Sequence, residues 1–107
     1  MTDYCSVYIT APDEKSADEI ARMLVENRLA ACANIVPGMR SVYRWEGKIE
    51  TDYEIAIIAK TRKDLVGKLT AEVMLVHPYD CPCIVTWPID GGHPAYLDWI
   101  GQETGGE

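Results

Sequence analysis

Between Lys48 and Ile57 apolar and charged side chains alternate. Ile49, Tyr53, Ile55 and Ile57 take one parity, and Lys48, Glu50, Asp52 and Glu54 take the other. That period of two marks a strand with one wet face. From Ala56 to Ile58 both parities turn apolar, which predicts a strand running from an exposed arm into a core. A second strand-like run precedes it, and the two flank Trp45-Glu46-Gly47-Lys48. This tetrapeptide predicts a tight hairpin, with Gly47 able to supply the positive φ that such a turn needs. A hairpin of this length projects beyond any core a chain of this size can build. Trp45 and Tyr43 near its tip are costly to leave in water. The expectation is an arm that packs on another copy of the chain.

The rest of the chain yields to the same reading. Cys5, Val7 and Ile9 alternate with Ser6, Tyr8 and Thr10, a first strand that Ala11-Pro12-Asp13 breaks. Asp13 suits a helix N-cap, and Ala17, Ile20, Ala21 and Leu24 make one helical face that ends near Asn27 to Leu29. Ala30 to Val36 predicts the buried start of a strand, with a turn or bulge at Pro37-Gly38. Thr61 to Asp64 fits a capping box. Leu65, Val66, Leu69, Val73 and Val76 form the next helical face, which His77-Pro78 ends. Cys83 to Trp87 reads as a strand, and Pro94 starts a short helix carrying Tyr96, Trp99 and Ile100 on one face. The order β-α-β-β-α-β plus a small helix predicts an α+β, ferredoxin-like (split β-α-β) fold with a long extended hairpin. Ala56 to Ala59 and Ile84 to Trp87 are apolar on both parities, so the second sheet face also calls for cover, which a partner subunit could supply.

Composition narrows the function. The 107 residues predict one domain over 1–107, with residues 102–107 expected to fray. A formal net charge of −7 without a Lys/Arg cluster excludes nucleic acid as a partner. No apolar run approaches a bilayer span, and MTDYCSVYIT lacks the features of a signal peptide. A cytoplasmic location is therefore expected, in which the four cysteines are thiols rather than a disulfide framework.

Cys81-Pro82-Cys83 reads first as two ordinary small apolar residues and second as a soft-metal or redox pair. Cys32, among alanines, reads as a buried inert thiol, and Cys5, alternating with Val7 and Ile9, as core or interface. His77 suits a ligand, a proton shuttle or a cap on the preceding helix, and its spacing favours the cap. Lys60 ends an apolar run, where its ammonium meets either a ligand anion or water. No phosphate loop, dinucleotide fingerprint, nucleophile elbow or HExxH motif is present, so an enzyme is not predicted.

Leu29-Ala30-Ala31-Cys32-Ala33-Asn34, Trp45-Glu46-Gly47-Lys48, Lys60-Thr61, His77-Pro78-Tyr79 and Tyr96-Leu97-x-Trp99 together resemble the CutA (CutA1) divalent-cation tolerance family. The resemblance spans nearly the whole chain. It implies a homotrimer whose long hairpins reach neighbouring subunits, an architecture similar to the PII signalling proteins. It also implies tolerance of copper and other divalent metals, with no agreed catalysis and no organic cofactor. The copper ligands of some bacterial members are a Cys near the end of the first strand and a His-His pair. Here Ile9 and Val76 occupy two of those places and only His77 matches. The family's Pro-Glu before the fourth strand is Pro82-Cys83, so Cys81 and Cys83 could supply softer ligands that favour Cu(I). The resulting expectation is a metal site at His77, Cys81 and Cys83, and subunit clefts lined by Trp45, Lys60, Tyr79 and Trp99. The alternatives are a PII-like trimer that binds a small anionic metabolite at Lys60, and a non-catalytic scaffold for protein partners.

Overall fold

The computed structural model describes residues 3–106. Strand β1 spans Tyr4–Ala11, helix α1 Glu14–Glu26, β2 Cys32–Trp45 and β3 Lys48–Arg62. A 3-10 turn at Lys63–Leu65 leads into α2 at Val66–Val76, followed by β4 at Ile84–Pro88 and α3 at Pro94–Glu103. The sheet order is β2-β3-β1-β4 with every pairing antiparallel. The chain thus has an α+β fold in which β3 lies between β1 and β2, the two strands that α1 joins.

Asp13 caps α1 by accepting from the Ser16 backbone N–H at 2.7 Å. Ala17, Ile20, Ala21 and Leu24 are buried, as their spacing predicts. They pack with Leu69 and Val73 of α2 against Val7, Ile9, Ile55 and Ile57. Each large aliphatic side chain buried there contributes about 1.5–3 kcal/mol. The odd-numbered residues of β1 and β3 therefore face the two helices, and the even-numbered residues face the other way. Across that second face, Tyr8 and Trp87 hold their rings 5.3 Å apart.

The β2–β3 hairpin extends past this core. Its turn has Glu46 at φ 50 and Gly47 at φ 80, the paired positive φ values of a two-residue type I′ turn. A register shift between Val36 and Met39, with Gly38 at φ 81, marks the bulge that Pro37-Gly38 predicts. The molecule measures 44 × 25 × 22 Å. Its radius of gyration is 14.3 Å, above the ~13 Å of a compact chain this long. Val42, Ile49 and Tyr53 on the arm are 64%, 60% and 74% exposed.

Three expectations are corrected. Thr61 is not a helix cap: β3 continues to Arg62, and Thr61 turns inward to donate to the Leu29 carbonyl at 2.6 Å. On the second helical face only Leu69 and Val73 are buried, because α2 begins at Val66 and Val76 points outward. The start of β2 is less buried than expected, since Ile35 and Val36 lie on the edge strand with no neighbour beyond it. Residues 102–105 carry hydrogen bonds to the rest of the fold. Arg28 donates to the carbonyls of Gln102 and Gly105, Arg62 donates to that of Thr104, and the Gly105 N–H returns a bond to Arg28. Glu107 lies outside the described residues.

Candidate functional site

A cleft of about 580 Å³ opens between the arm and the loop after α2. Ser41, Tyr43 and Trp45 reach it from alternate positions of β2, and Glu54 reaches it from β3. Pro78, Tyr79, Asp80, Cys81 and Cys83 close its other side, with Thr10 between. Strand alternation puts Ser41, Tyr43 and Trp45 on one face together with their cross-strand partners Asp52, Glu50 and Lys48. Tyr43 donates its hydroxyl to Asp52, and Tyr79 donates to Glu54 at 3.1 Å.

These carboxylates and burial together set the local electrostatics. The hydrogen bond to Asp52, with Glu50 and Glu54 nearby, holds the Tyr43 phenol at about 12. Burial first, and then Glu54, push Tyr79 up to about 12. Burial and then Glu54 also raise the Cys83 thiol, so it stays protonated and weakly nucleophilic at neutral pH. Cys81 and Cys83 are both exposed free thiols, which corrects their reading as ordinary buried residues. The strand begins at Ile84 rather than Cys83, so Cys83 belongs to the loop and reaches the cleft with Cys81.

His77 lies beneath this wall. It is buried; its Nε2 lies 2.7 Å from the Thr10 carbonyl, and its Nδ1 accepts the Tyr79 N–H at 3.1 Å. These partners assign the proton to Nε2. Its backbone N–H also caps α2 through the Val73 carbonyl. In this arrangement neither ring nitrogen presents a lone pair to a metal. Among the described residues no three His, Cys, Asp or Glu side chains converge as a metal-binding group.

Lys60 and Trp99 lie in a second cluster. Lys60 is about 20 Å along β3 from Glu54, and its Nζ donates to Asn34 Oδ1 at 2.8 Å. Cys32, its cross-strand partner, lies 3.5 Å from the Tyr96 hydroxyl, and the Tyr96 and Trp99 rings are 5.4 Å apart. The structure therefore brings Trp45, Tyr79, Cys81 and Cys83 together, sets His77 behind them and separates Lys60 and Trp99. The sequence reading did not select Tyr43, Glu54 and Asp80 as cleft residues. Tyr43 and Glu54 are signalled by the strand parities, whereas the approach of Asp80 depends on a non-local loop.

Residues 5–103 match the family model described as "CutA1 divalent ion tolerance protein". The chain is 48% identical over 99 residues to the Divalent-cation tolerance protein CutA of Thermus thermophilus, covering 92% of this chain and 96% of that one. It is 46% identical over 99 residues to Protein CutA of Mus musculus, covering 92% of this chain and 56% of that one. It thus spans a little over half of the mouse relative, and likewise 64% of the Xenopus laevis and 54% of the Arabidopsis thaliana relatives. A solved structure of the Thermus thermophilus divalent cation tolerance protein superposes with a TM-score of 0.94 at 47% identity, covering 95% of this chain and 99% of that one. That of CutA1 from Oryza sativa gives 0.94 at 42% identity, covering 97% and 95%.

Proposed function

The chain belongs to the CutA1 divalent ion tolerance family, and from that premise we propose that it binds copper or another divalent metal ion as a homotrimer, in a sequestration or sensing role. The observation that carries this reading is the near-full-length match to a protein named for divalent-cation tolerance. The proposed fold is the ferredoxin-like one, and the proposed setting is the cytoplasm, in keeping with four free thiols.

The trimer reading rests on the arm. Val42, Ile49 and Tyr53 would each contribute about 1.5–3 kcal/mol if a neighbouring copy fully covered them. Cys81 and Cys83 are the proposed ligands of one protomer, and as thiols they favour a soft ion such as Cu(I). They make an incomplete site, so the remaining ligands would come from a second copy. His77 would join only by giving up the Tyr79 N–H. The proposed activity is binding rather than catalysis.

Calorimetric titration of reduced, metal-free protein with Cu(II), Cu(I) and Zn(II) tests this, repeated on Cys81→Ser/Cys83→Ser and on His77→Ala. Saturable binding at an integral ratio per trimer, lost in the double variant, is the expected result. Non-saturable or variant-independent heats would overturn it. Light scattering should give about three times the 12.0 kDa chain mass, and a monomer at micromolar concentration would refute the assembly.

A second reading, a PII-like trimer that takes a small anionic metabolite, draws on Lys60. Its ammonium meets the neutral Asn34 amide oxygen, with no carboxylate at ion-pair distance among the described residues. Lys60→Ala should abolish metabolite binding and leave metal binding intact.

A further inference from the structure

We infer that the cavity at the opposite end of β3 from the hairpin tip binds a small zwitterion of the α-amino acid class, its carboxylate on Lys63 and the spare N–H groups of Arg62, its ammonium on Asp3. This site is separate from the thiols of the metal reading and from Lys60, and it depends on neither.

Position supplies the first argument. A cavity of about 470 Å³ lies among Asp3, Tyr4, Arg62, Lys63 and Asp64, where the start of β1 meets the end of β3 and the 3-10 turn. Tyr4 pairs with Arg62 across the strands, and the Lys63 N–H donates to the Asp3 carbonyl at 2.8 Å. These contacts hold the rims of the cavity together. The chain's own α3 covers this end of the second sheet face. A Cβ on Gly101 would lie 2.7 Å from the Tyr4 hydroxyl. The arm leaves from the other end of β3, so a neighbouring copy seated on the arm and on the open sheet face need not cover this end.

Charge supplies the second. The lining carries two cations and two anions. Arg62 and Asp64 satisfy each other, with Nε and Nη2 donating to the carboxylate oxygens at 3.0 and 2.8 Å. Arg62 Nη1 donates to the Thr104 carbonyl at 3.2 Å, and a Cβ on Gly105 would lie 2.6 Å from it. The guanidinium is thereby fixed, with N–H groups to spare. Lys63 and Asp3 differ. Among the described residues neither side chain has an ion-pair partner, each other included. Burial raises the Cys5 thiol and the Lys63 ammonium partly offsets this, so that charge stands beside the start of β1.

The free pair selects the ligand. A simple anion on Lys63 would also meet the unpaired Asp3 carboxylate, and a simple cation on Asp3 would meet Lys63. A molecule carrying a carboxylate and an ammonium on one carbon gives each side chain its opposite, through charge-assisted hydrogen bonds. A metal ion needs several lone pairs converging on one point. Asp64 is already engaged by Arg62, and no such trio is present among the described residues.

The test is an NMR chemical-shift titration of the intact, isotope-labelled protein, following the Tyr4, Lys63 and Asp64 amides. The probes are L-alanine, propionate, which keeps only the carboxylate, and ethylamine, which keeps only the ammonium. Saturable L-alanine binding with a dissociation constant of about 1 mM or tighter is expected, and each single-charge probe should bind at least about tenfold more weakly. Lys63→Gln and Asp3→Asn keep the backbone bond between these residues, and each should weaken L-alanine about tenfold. Asp3→Asn should not weaken propionate and Lys63→Gln should not weaken ethylamine, a crossed pattern that a general loss of structure would not give. Lys60→Ala should leave L-alanine binding unchanged. No saturation by L-alanine, equal binding of either single-charge probe, unchanged L-alanine affinity in Lys63→Gln or Asp3→Asn, or a loss in Lys60→Ala would overturn the proposal. A failed copper titration would leave it standing, because the metal reading rests on the thiols.

Discussion

Replacing His77 by Ala should destabilise the fold. The imidazole joins three separate pieces of backbone: the end of β1 through the Thr10 carbonyl, the loop through the Tyr79 N–H, and the end of α2 from which it projects. Thr10 is itself buried, so its carbonyl, deprived of this donor, would bear a desolvation cost of about 1–3 kcal/mol. The Tyr79 N–H, less enclosed, adds about 0.5–1.5 kcal/mol for a lost bond. Together these predict a loss of about 2–4 kcal/mol. Urea unfolding at one fixed protein concentration measures it, since assembly would make the midpoint concentration-dependent. His77→Gln, whose amide nitrogen can stand in for Nε2, should recover the bond to Thr10 and lose only about 1 kcal/mol. His77→Asn, which replaces Nδ1 instead, should fall between Gln and Ala. A change below about 0.5 kcal/mol in His77→Ala would refute the reasoning. It would mean that the two hydrogen bonds are not what the ring contributes.

Three further outcomes are expected. Thr61→Val keeps the buried shape but removes the 2.6 Å bond to the Leu29 carbonyl, and should cost about 1–2 kcal/mol by urea unfolding; no loss would mean that the carbonyl finds another donor. Glu46→Asn should stabilise by about 0.5–1 kcal/mol in the same assay, because Asn tolerates the φ of 50 at the first turn position better than Glu; a loss would indicate a role for the Glu46 carboxylate in holding the turn. The hydrogen bond to Asp52 raises Tyr43, burial raises Tyr79, and the contact with Cys32 raises Tyr96, each to about 12. Unfolded tyrosines titrate near ~10, so the folded state holds these protons more tightly. The associated stabilisation is fully present below pH ~10 and is lost as pH rises toward about 12. Burial also raises Tyr8. Ultraviolet difference titration should therefore find these tyrosines among the six ionising late, and six transitions near ~10 would refute it.

Elements set by local chemistry were legible in the sequence. The N-cap of α1, its buried face, the paired strands of the hairpin and the bulge at Pro37-Gly38 each depend on residues within one or two turns of one another. Thr61 shows how two local signals compete. Its capping pattern was visible, but so was the odd parity of Ile55, Ile57 and Ala59, which carries Thr61 inward opposite Cys5. Burial of the hydroxyl against Leu29 prevailed over the cap. The site was less legible, because contacts across the fold decide it. The His77 ring bonds to a carbonyl 67 residues away, which no spacing rule encodes. Cys81 and Cys83 read first as ordinary small apolar residues, whereas a later strand start leaves both thiols exposed on the cleft wall. Lys60 and Trp99 belong to the same set of family motifs as Trp45, yet the length of β3 carries Lys60 away from the arm, and Trp99 lies on α3.

The bonds between Arg28 and Gly105 span 77 residues of chain. Closing a loop of that size costs about 4 kcal/mol of chain entropy, more than two hydrogen bonds return on their own. The carboxyl-terminal turn can therefore settle only after the sheet has brought α1 and α3 close. Arg28 holds a left-handed conformation, at φ 58, where it meets these partners.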